Sequence, residues 1–361
     1  MGAVEPSARP FFSIVVPVFR AEATVGAAIA SLRGQAFADW EAVFVDDGSP
    51  DGSAAAVLAA AAGDSRIRLL RHGGNRGTHA ARRTGVADAR GAWILFLDPD
   101  DEFAPGAFGA LADALRATEA GLVRFDFAPM DAELCSPDQL DSFARHRCGG
   151  RSTAGPGAAL PLFFTGRNVP IFPWSFAVRG SVARTAFAET EDVRLVYSEG
   201  VYEIFACAAR ADGYAEIPVE AYRYRAGAGG TTSWRHAPPN RPDLWLAGFE
   251  RTLGARAASF AAMRRFARAF RGPAAARRRV RAAVRKEARR QLAGVYPWEF
   301  SLARAKGLSR ERFRACLGAL LRPLAPADRL RLRAALALRR VLEAAGILQR
   351  PGRPAAPRST R

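Results

Sequence analysis

Residues 41–62 read EAVFVDDGSPDGSAAAVLAAAA. The run from Glu41 to Val45 predicts a strand, DDGSPDGS is a cluster of turn formers, and the alanine-rich stretch from Ser53 to about Ala62 predicts a helix. The same strand–helix unit recurs on either side. Upstream, FSIVVPV over Phe12 to Val18 is a continuous apolar run suited to a parallel strand covered on both faces, with Pro17 near its end. Thr24 then starts a helix to Arg33, with Val25, Ala28, Ile29 and Leu32 at helical spacing. Downstream come a strand at Ile67 to Leu70, the glycine-rich loop RHGGNRG, a helix from Thr78 to about Ala89, and the strand WILFL at Trp93 to Leu97. Such alternation implies right-handed crossovers and an α/β, doubly wound, mostly parallel sheet. Ligands of these sheets sit beyond the carboxyl ends of the strands, where Asp46, Asp47, Asn75, Asp98 and Asp100 all fall.

Between Asp131 and Gly157 the periodicity fades, and the stretch reads as a long loop or insertion. It resumes with FPWSFAV, a helix from about Glu199 to Ala211, the strand-like YAEIPVEAYRYR and the loop GAGGTTSW. Beyond Trp245 the texture is helical. Phe249, Leu253, Phe260, Met263, Phe266 and Phe270 share one flank, and the arginines fall mostly on others. That flank can pack on the preceding domain. Gly272 and Pro273 break the helix; a second basic helix carries Val280, Val284 and Leu292, and two more follow Ser309 and Ala327. The last dozen residues, RPGRPAAPRSTR, read as disordered.

Charge separates the two parts of the chain. Residues 241–361 hold 30 Lys and Arg against 7 Asp and Glu, a net of +23, whereas residues 1–240 hold 23 against 28; the whole carries +18. Lys286 and Lys306 are the only lysines, which suggests a codon bias and warns against reading every arginine as an anion clamp. The net charge itself is physical. It admits a solvated arginine-rich bundle, a binder of anionic membrane surfaces, or a nucleic-acid binder. No zinc-finger or helix-turn-helix signature supports the last, and no nucleic acid is expected. No apolar run reaches the roughly 18 residues of a membrane span, and the N-terminus lacks a secretory pattern. The expected location is the cytoplasm, at the inner face of the cell membrane where the basic region contacts lipid. Cys135, Cys148, Cys207 and Cys316 are scattered, without CxxC pairing or neighbouring histidines, as reduced structural thiols would be.

Taken together, IVVPVF (14–19), VDDGSPDGS (45–53), NRGTHAARRTG (75–85) and LDPDD (97–101) resemble, in order and spacing, the donor-binding half of the family 2 glycosyltransferases. The resemblance covers roughly Phe12 to Ser233. It implies a GT-A fold over 1–240, with a donor half at about 12–128 and an acceptor half at about 160–235, followed by a basic helical region at 241–349 and a tail at 350–361. It further implies a nucleotide diphosphate sugar donor, a divalent cation (Mn2+ or Mg2+), inversion at the anomeric carbon, and a glycan or lipid-linked acceptor in cell-surface polysaccharide synthesis. Pro17, Phe19, Asp46, Asp47, Asn75, Gly77, Arg82 and Asp98 are then the donor-side residues.

The chemistry supports this assignment. A departing nucleotide diphosphate develops negative charge, which a hard cation offsets without proton transfer, and such a cation takes carboxylate oxygens. In LDPDD, Pro99 bends the chain so that Asp98 and Asp100 can face one cavity. By resemblance Asp100 ligates the metal and Asp98 holds the ribose or the metal's water shell; the plainer alternative is a solvated turn with a helix cap at Asp101. Asp47, with Asp46 as alternate, resembles the carboxylate that accepts the base's ring N–H, which a uracil or thymine offers. An Asx turn leading into the Ser53 helix is the plain counterpart. Asn75, Gly77 and Arg82 match N-x-G-x-x-x-A-R, in a glycine loop whose following helix aims its N–H groups at an anion. Arg82 then approaches the diphosphate, or is a helix-surface arginine. His72 and His79 are expected to be structural.

The departure from the family lies at SEGVYEIFA. Glu199 aligns with the Glu of a Glu-Asp pair, but Gly200 stands where the Asp, often the base that deprotonates the acceptor, should be. Glu199 is the candidate base, with Glu191 and Asp192 as alternates. The same gap leaves room for a catalytically silent GT-A protein that scaffolds polysaccharide assembly at the membrane.

Overall fold

The computed structural model describes residues 9–135, 137–145, 147–164, 171–195, 198–225, 242–321, 324 and 326–344. The loop GAGGTTSW, the residue 240/241 boundary and the 350–361 tail lie outside them. The chain forms two compact units, one of residues 1–230 and 262–283, the other of residues 231–261 and 284–361.

The first unit is built on a nine-stranded mixed sheet: β1 Phe12–Val18, β2 Trp40–Asp46, β3 Ile67–Arg71, β4 Trp93–Phe96, β5 Glu102–Phe103, β6 Leu122–Pro129, β7 Ser152–Ala154, β8 Phe176–Arg179 and β9 Gly213–Tyr224. Their order is β3-β2-β1-β4-β8-β6-β9-β5, with β7 also on β9. The β3-β2-β1-β4 half is wholly parallel, as the repeated unit requires. Only β8, β5 and β7 pair antiparallel. Helices α1 Val25–Arg33, α2 Ser53–Ala61, α3 Thr78–Asp88 and α4 Ala107–Arg116 make the crossovers, and β1 and β2 are buried along their full length. The register Val18↔Asp46↔Arg71 brings the strand ends, and so the motif loops, to one edge of the sheet.

Two features depart from expectation. The stretch from Asp131 to Gly157 is not one loop: it contains the helix α5, Pro137–Arg145, and the strand β7. The missed strand β6 reads poorly because Arg124 and Asp126, both buried, interrupt its apolar pattern; Arg124 pairs with Glu216 at 3.3 Å and Asp126 accepts the Cys148 N–H at 2.7 Å. Buried charge is tolerated when it is paired in this way. The rest of the unit comprises α6 Leu160–Phe164, α7 Gly180–Glu189 and α8 Glu199–Arg210.

The basic helices divide between the units. Of α9 (Pro242–Ala269) and α10 (Ala274–Arg289), residues 262–283 belong to the first. There Phe266 meets Tyr202 and Phe205 edge-on, Arg210 lies over Phe270, and Arg265 pairs with Glu191. Phe249, Leu253 and Phe260 instead close a core of the second unit with Leu292, Phe300 and Leu320, so only part of the apolar flank packs on the sheet domain. Helices α11 Tyr296–Ala305, α12 Arg310–Leu321 and α13 Pro326–Ala344 complete that bundle. On α13, Leu330 and Leu338 are exposed among Arg331, Arg333 and Arg340. No helix of the described residues is long and apolar enough to cross a membrane.

Candidate active site

At the ends of β1 and β2 the expected donor residues are together, but most are engaged. Asp47 is buried and accepts the backbone N–H groups of Arg76 (2.9 Å) and Gly77 (2.7 Å), with His72 Nδ1 2.7 Å from the same carboxylate. It therefore clamps the 72–77 loop. Asp46, also buried, accepts the Ser49 N–H at 3.0 Å and pairs with Arg71, while the Asx turn into the Ser53 helix is made by Asp51, which accepts the Ser53 N–H at 3.3 Å. Two glycines make this approach possible. Gly77 sits at φ 92°, and a Cβ on Gly48 (φ 69°) would lie 2.6 Å from the backbone of Gly74. Asn75 is exposed, with its side-chain oxygen accepting from Arg194. Pro17 is buried within β1 opposite Val45, whereas Phe19, just past the strand, is 40% exposed.

After β4 the LDPDD turn is held from β9. Tyr222 Oη accepts the Asp98 N–H (3.1 Å) and donates to Asp101 (2.7 Å), which also accepts the Arg225 N–H; Arg225 Nε donates to the Asp100 carbonyl. Asp101 is thus no solvated helix cap but a buried anchor, its carboxyl pushed up to about 8 by burial and by Asp98 and Asp100. Burial, then Asp98, pushes Asp100 up to about 6. Negative charge is crowded in this turn, which is the condition a hard cation relieves, and both carboxylates offer oxygen ligands. Among the described residues no three His, Cys, Asp or Glu side chains form a metal cage.

The centre of the site is Arg82, on α3. Its guanidinium is 3% exposed and reaches Asp98 (2.9 Å), Glu203 (3.1 Å) and Glu199 (3.5 Å). Burial opposes its charge, but Glu203, Asp98 and Glu199 together hold it more firmly protonated than usual. So enclosed, Arg82 is the counter-charge of three carboxylates rather than an open diphosphate clamp. Glu203, one turn beyond Glu199 on α8, also lies 2.9 Å from His79 Nδ1, and His79 is fully buried, as a structural histidine should be. The sequence reading missed Glu203, although its i+4 spacing from Glu199 and the i+3 spacing of His79 and Arg82 mark matching helix faces. Glu199 itself keeps 17% of its side chain exposed; burial raises its pKa against the lowering effect of Arg82.

Of the alternates for the base, Glu191 pairs with Arg265 and its carbonyl lies 3.2 Å from His79 Nε2, and the exposed Asp192 pairs with Arg76 and Arg83. Gly200 has a steric cause: a Cβ there would lie 2.6 Å from Cδ of Pro173, so the ring of Pro173 fills the place where a side chain at 200 would begin.

A half-parallel sheet with crossover helices, and carboxylates gathered where its strands end, is the GT-A fold of nucleotide-sugar transferases. Residues 13–140, less than half of the chain, match the family model described as glycosyl transferase family 2. Among curated proteins it is 42% identical over 89 residues to an Escherichia coli UDP-Glc:alpha-D-GlcNAc-diphosphoundecaprenol beta-1,3-glucosyltransferase, WfgD, covering 25% of this chain and 34% of that protein. The matches span between 10% and 39% of the length of the curated relatives. Among solved structures, S. aureus TarS 1-349 in complex with UDP-GlcNAc superposes with a TM-score of 0.62 at 14% identity, over 93% of this chain and 92% of that one. The mannosyltransferase PcManGT from Pyrobaculum calidifontis, in complex with GDP-Man and Mn2+, gives 0.50 at 17% identity, over 95% and 89%.

Proposed function

We propose that this chain is an inverting glycosyltransferase that moves a sugar from a UDP-linked donor to a glycan or lipid-linked acceptor of cell-surface polysaccharide synthesis. One observation carries the reading: a single buried guanidinium, Arg82, contacts both the donor-side carboxylate Asp98 and the candidate base Glu199. Glu199 accepts the acceptor hydroxyl's proton while that oxygen attacks the anomeric carbon, and the nucleotide diphosphate leaves from the opposite face of the sugar. Arg82 balances the charge of Glu199 and Asp98, and Asp101 with Tyr222 holds the turn that positions Asp98 and Asp100. Asp100, with Asp98, would hold Mn2+ or Mg2+, which when bound neutralises charge on the leaving diphosphate. The base in the donor is assigned to Phe19 and the Asp46–Asp47 turn.

The donor assignment draws support from WfgD and TarS, whose names carry UDP-sugars, and the acceptor assignment from the diphosphoundecaprenol glycan in the name of WfgD. The exposed leucines and arginines of α13 are the surface assigned to anionic lipid at the inner face of the membrane. The reading is tested by UDP release from a panel of UDP- and dTDP-sugars with and without Mn2+, together with calorimetric titration of UDP. Turnover of at least one donor and a Mn2+-dependent UDP affinity lost in Asp100→Ala are expected. Unchanged affinity in that variant removes Asp100 from the site. Tight UDP binding without turnover of any donor favours the silent scaffold that Gly200 leaves open.

A further inference from the structure

Phe19 and Phe172 are exposed aromatic side chains. Phe19 stands at the donor edge, beyond β1. Phe172 stands across the site, and its surroundings explain both its rigidity and its exposure. Its ring lies parallel to Trp174 (4.8 Å, 4°), and Trp174 lies parallel to Tyr222 (4.6 Å, 12°) and Tyr224 (5.7 Å, 14°). Phe127 meets both Phe172 and Trp174 edge-on. The backbone is fixed as well, because the Phe172 carbonyl accepts both the N–H and the hydroxyl of buried Ser175 in the turn Pro173–Ser175. Trp174 and Tyr222 are buried, and the stack runs from them to Phe172, which is 39% exposed. The ring is thus packed on Trp174 and Phe127 and still leaves part of its surface open to water.

Two contacts place the backbone that carries this ring beside the start of α8. Pro173, the next residue, is the one a Cβ on Gly200 would strike, and the carbonyl of Ile171, the preceding residue, is 3.7 Å from the same point. Phe172 is therefore flanked on both sides by residues that touch the start of α8, next to Glu199. At the other end of the stack, Tyr222 bonds the Asp98 and Asp101 turn. The ring and the acidic turn thus share one rigid support.

We infer that Phe172 is the acceptor platform of this enzyme, a flat aromatic face on which the apolar side of the acceptor's terminal pyranose lies while its hydroxyl is presented to Glu199. A pyranose carries C–H groups on one face and hydroxyls at its rim; the electron-rich face of an aromatic ring attracts the former, and a carboxylate accepts from the latter. The inference deepens the transferase reading and rests on it. It also gives the missing carboxylate a consequence: the turn that fills the place of a side chain at 200 is the turn that displays Phe172.

The test measures UDP release from UDP-glucose, UDP-galactose and UDP-N-acetylglucosamine with Mn2+, alone and with added octyl β-D-glucoside, octyl β-D-galactoside and octyl N-acetyl-β-D-glucosaminide. UDP affinity is followed by calorimetry. At least one glycoside should stimulate release by the wild type. Phe172→Ala should then raise that glycoside's KM about tenfold, the scale of one aromatic stacking contact, with kcat within about twofold and UDP affinity unchanged, and Phe172→Tyr should restore the wild-type KM. A Phe172→Ala enzyme with an unaltered glycoside KM, or donor turnover that no glycoside stimulates, overturns the platform while leaving the transferase intact. A wild type that turns over no donor overturns both. Loss of UDP affinity in Phe172→Ala would show that the ring supports the fold of the site instead, and so also counts against it.

Discussion

The two sides of the site treat their carboxylates differently. On the donor side Asp46 and Asp47 are buried and engaged by backbone N–H groups and by Arg71 and His72. Their strong hydrogen bonds fix loops. On the acceptor side Glu199 shares a longer contact to Arg82 with two other carboxylates, keeps part of its surface open, and is harder to ionise than an ordinary glutamate because it is buried. A carboxylate held by several short hydrogen bonds is a good clamp and a poor base, while an under-solvated one with a longer counter-charge contact is suited to taking a proton. The same residue type thus does two jobs, and its partners decide which.

The contrast can be broken most severely at Arg82. Replacing it with Gln leaves Glu203 and its neighbours without their buried counter-charge, and the folded state should lose about 3–5 kcal/mol, the usual result of orphaning a buried ion pair. Chemical denaturation measures this, and a loss below about 1 kcal/mol would mean that the cluster is hydrated. Next in size is Glu199→Gln, with kcat down roughly 100-fold and UDP affinity kept. If Glu191→Gln or Asp192→Asn is the inactive variant and Glu199→Gln is not, the assignment of the base is wrong. The pH profile sharpens the point. A base works only when deprotonated, so with its pKa raised by burial the activity should fall on acidification at a pH above the ordinary glutamate value of 4.5, and UDP affinity measured over the same range separates this limb from protonation of Asp100.

Gly200→Ala should destabilise by about 1–3 kcal/mol through overpacking against Pro173. In Pro173→Ala most of that penalty should disappear, giving a coupling that a double-mutant cycle reads directly. Additive losses would place the clash elsewhere. The smallest effect is expected far from the chemistry. Replacing Leu330 and Leu338 with Asn should weaken cosedimentation with anionic vesicles a few-fold at low salt, and high salt should release both proteins, since each basic side chain near the surface contributes only about 1 kcal/mol and is screened. Undiminished vesicle binding by the double variant would move the contact off α13.

Legibility in the sequence followed the range of the interactions. The parallel half of the sheet was readable because burial on both faces writes continuous apolar runs such as FSIVVPV and WILFL, and the strand ends carried their acidic residues in plain view. β6 was not, because Arg124 and Asp126 look like surface residues until Glu216 and Cys148 supply their partners. In the site, Asp98 and Asp100 stood out by their spacing at a strand end, whereas Glu199 was named only through the resemblance to a family Glu-Asp pair. Asp101 could not be read as an anchor, since Tyr222 and Arg225, which determine its role, lie more than 120 residues away. The division of the arginine-rich helices between two units was equally hidden: Phe260 and Phe266 occupy the same helical flank but close different cores.

The contact between Gly200 and Pro173 also limits the sequences this protein can pass through by single changes. A carboxylate introduced at 200 alone would drive its first carbon into the proline ring. Removing the proline first would loosen the turn whose carbonyl grips Ser175, and with it the aromatic stack. Each order of events crosses an intermediate with a damaged acceptor side, so descendants that regain an Asp at 200 should carry a compensating change at 173, and lineages that keep Pro173 should keep the glycine.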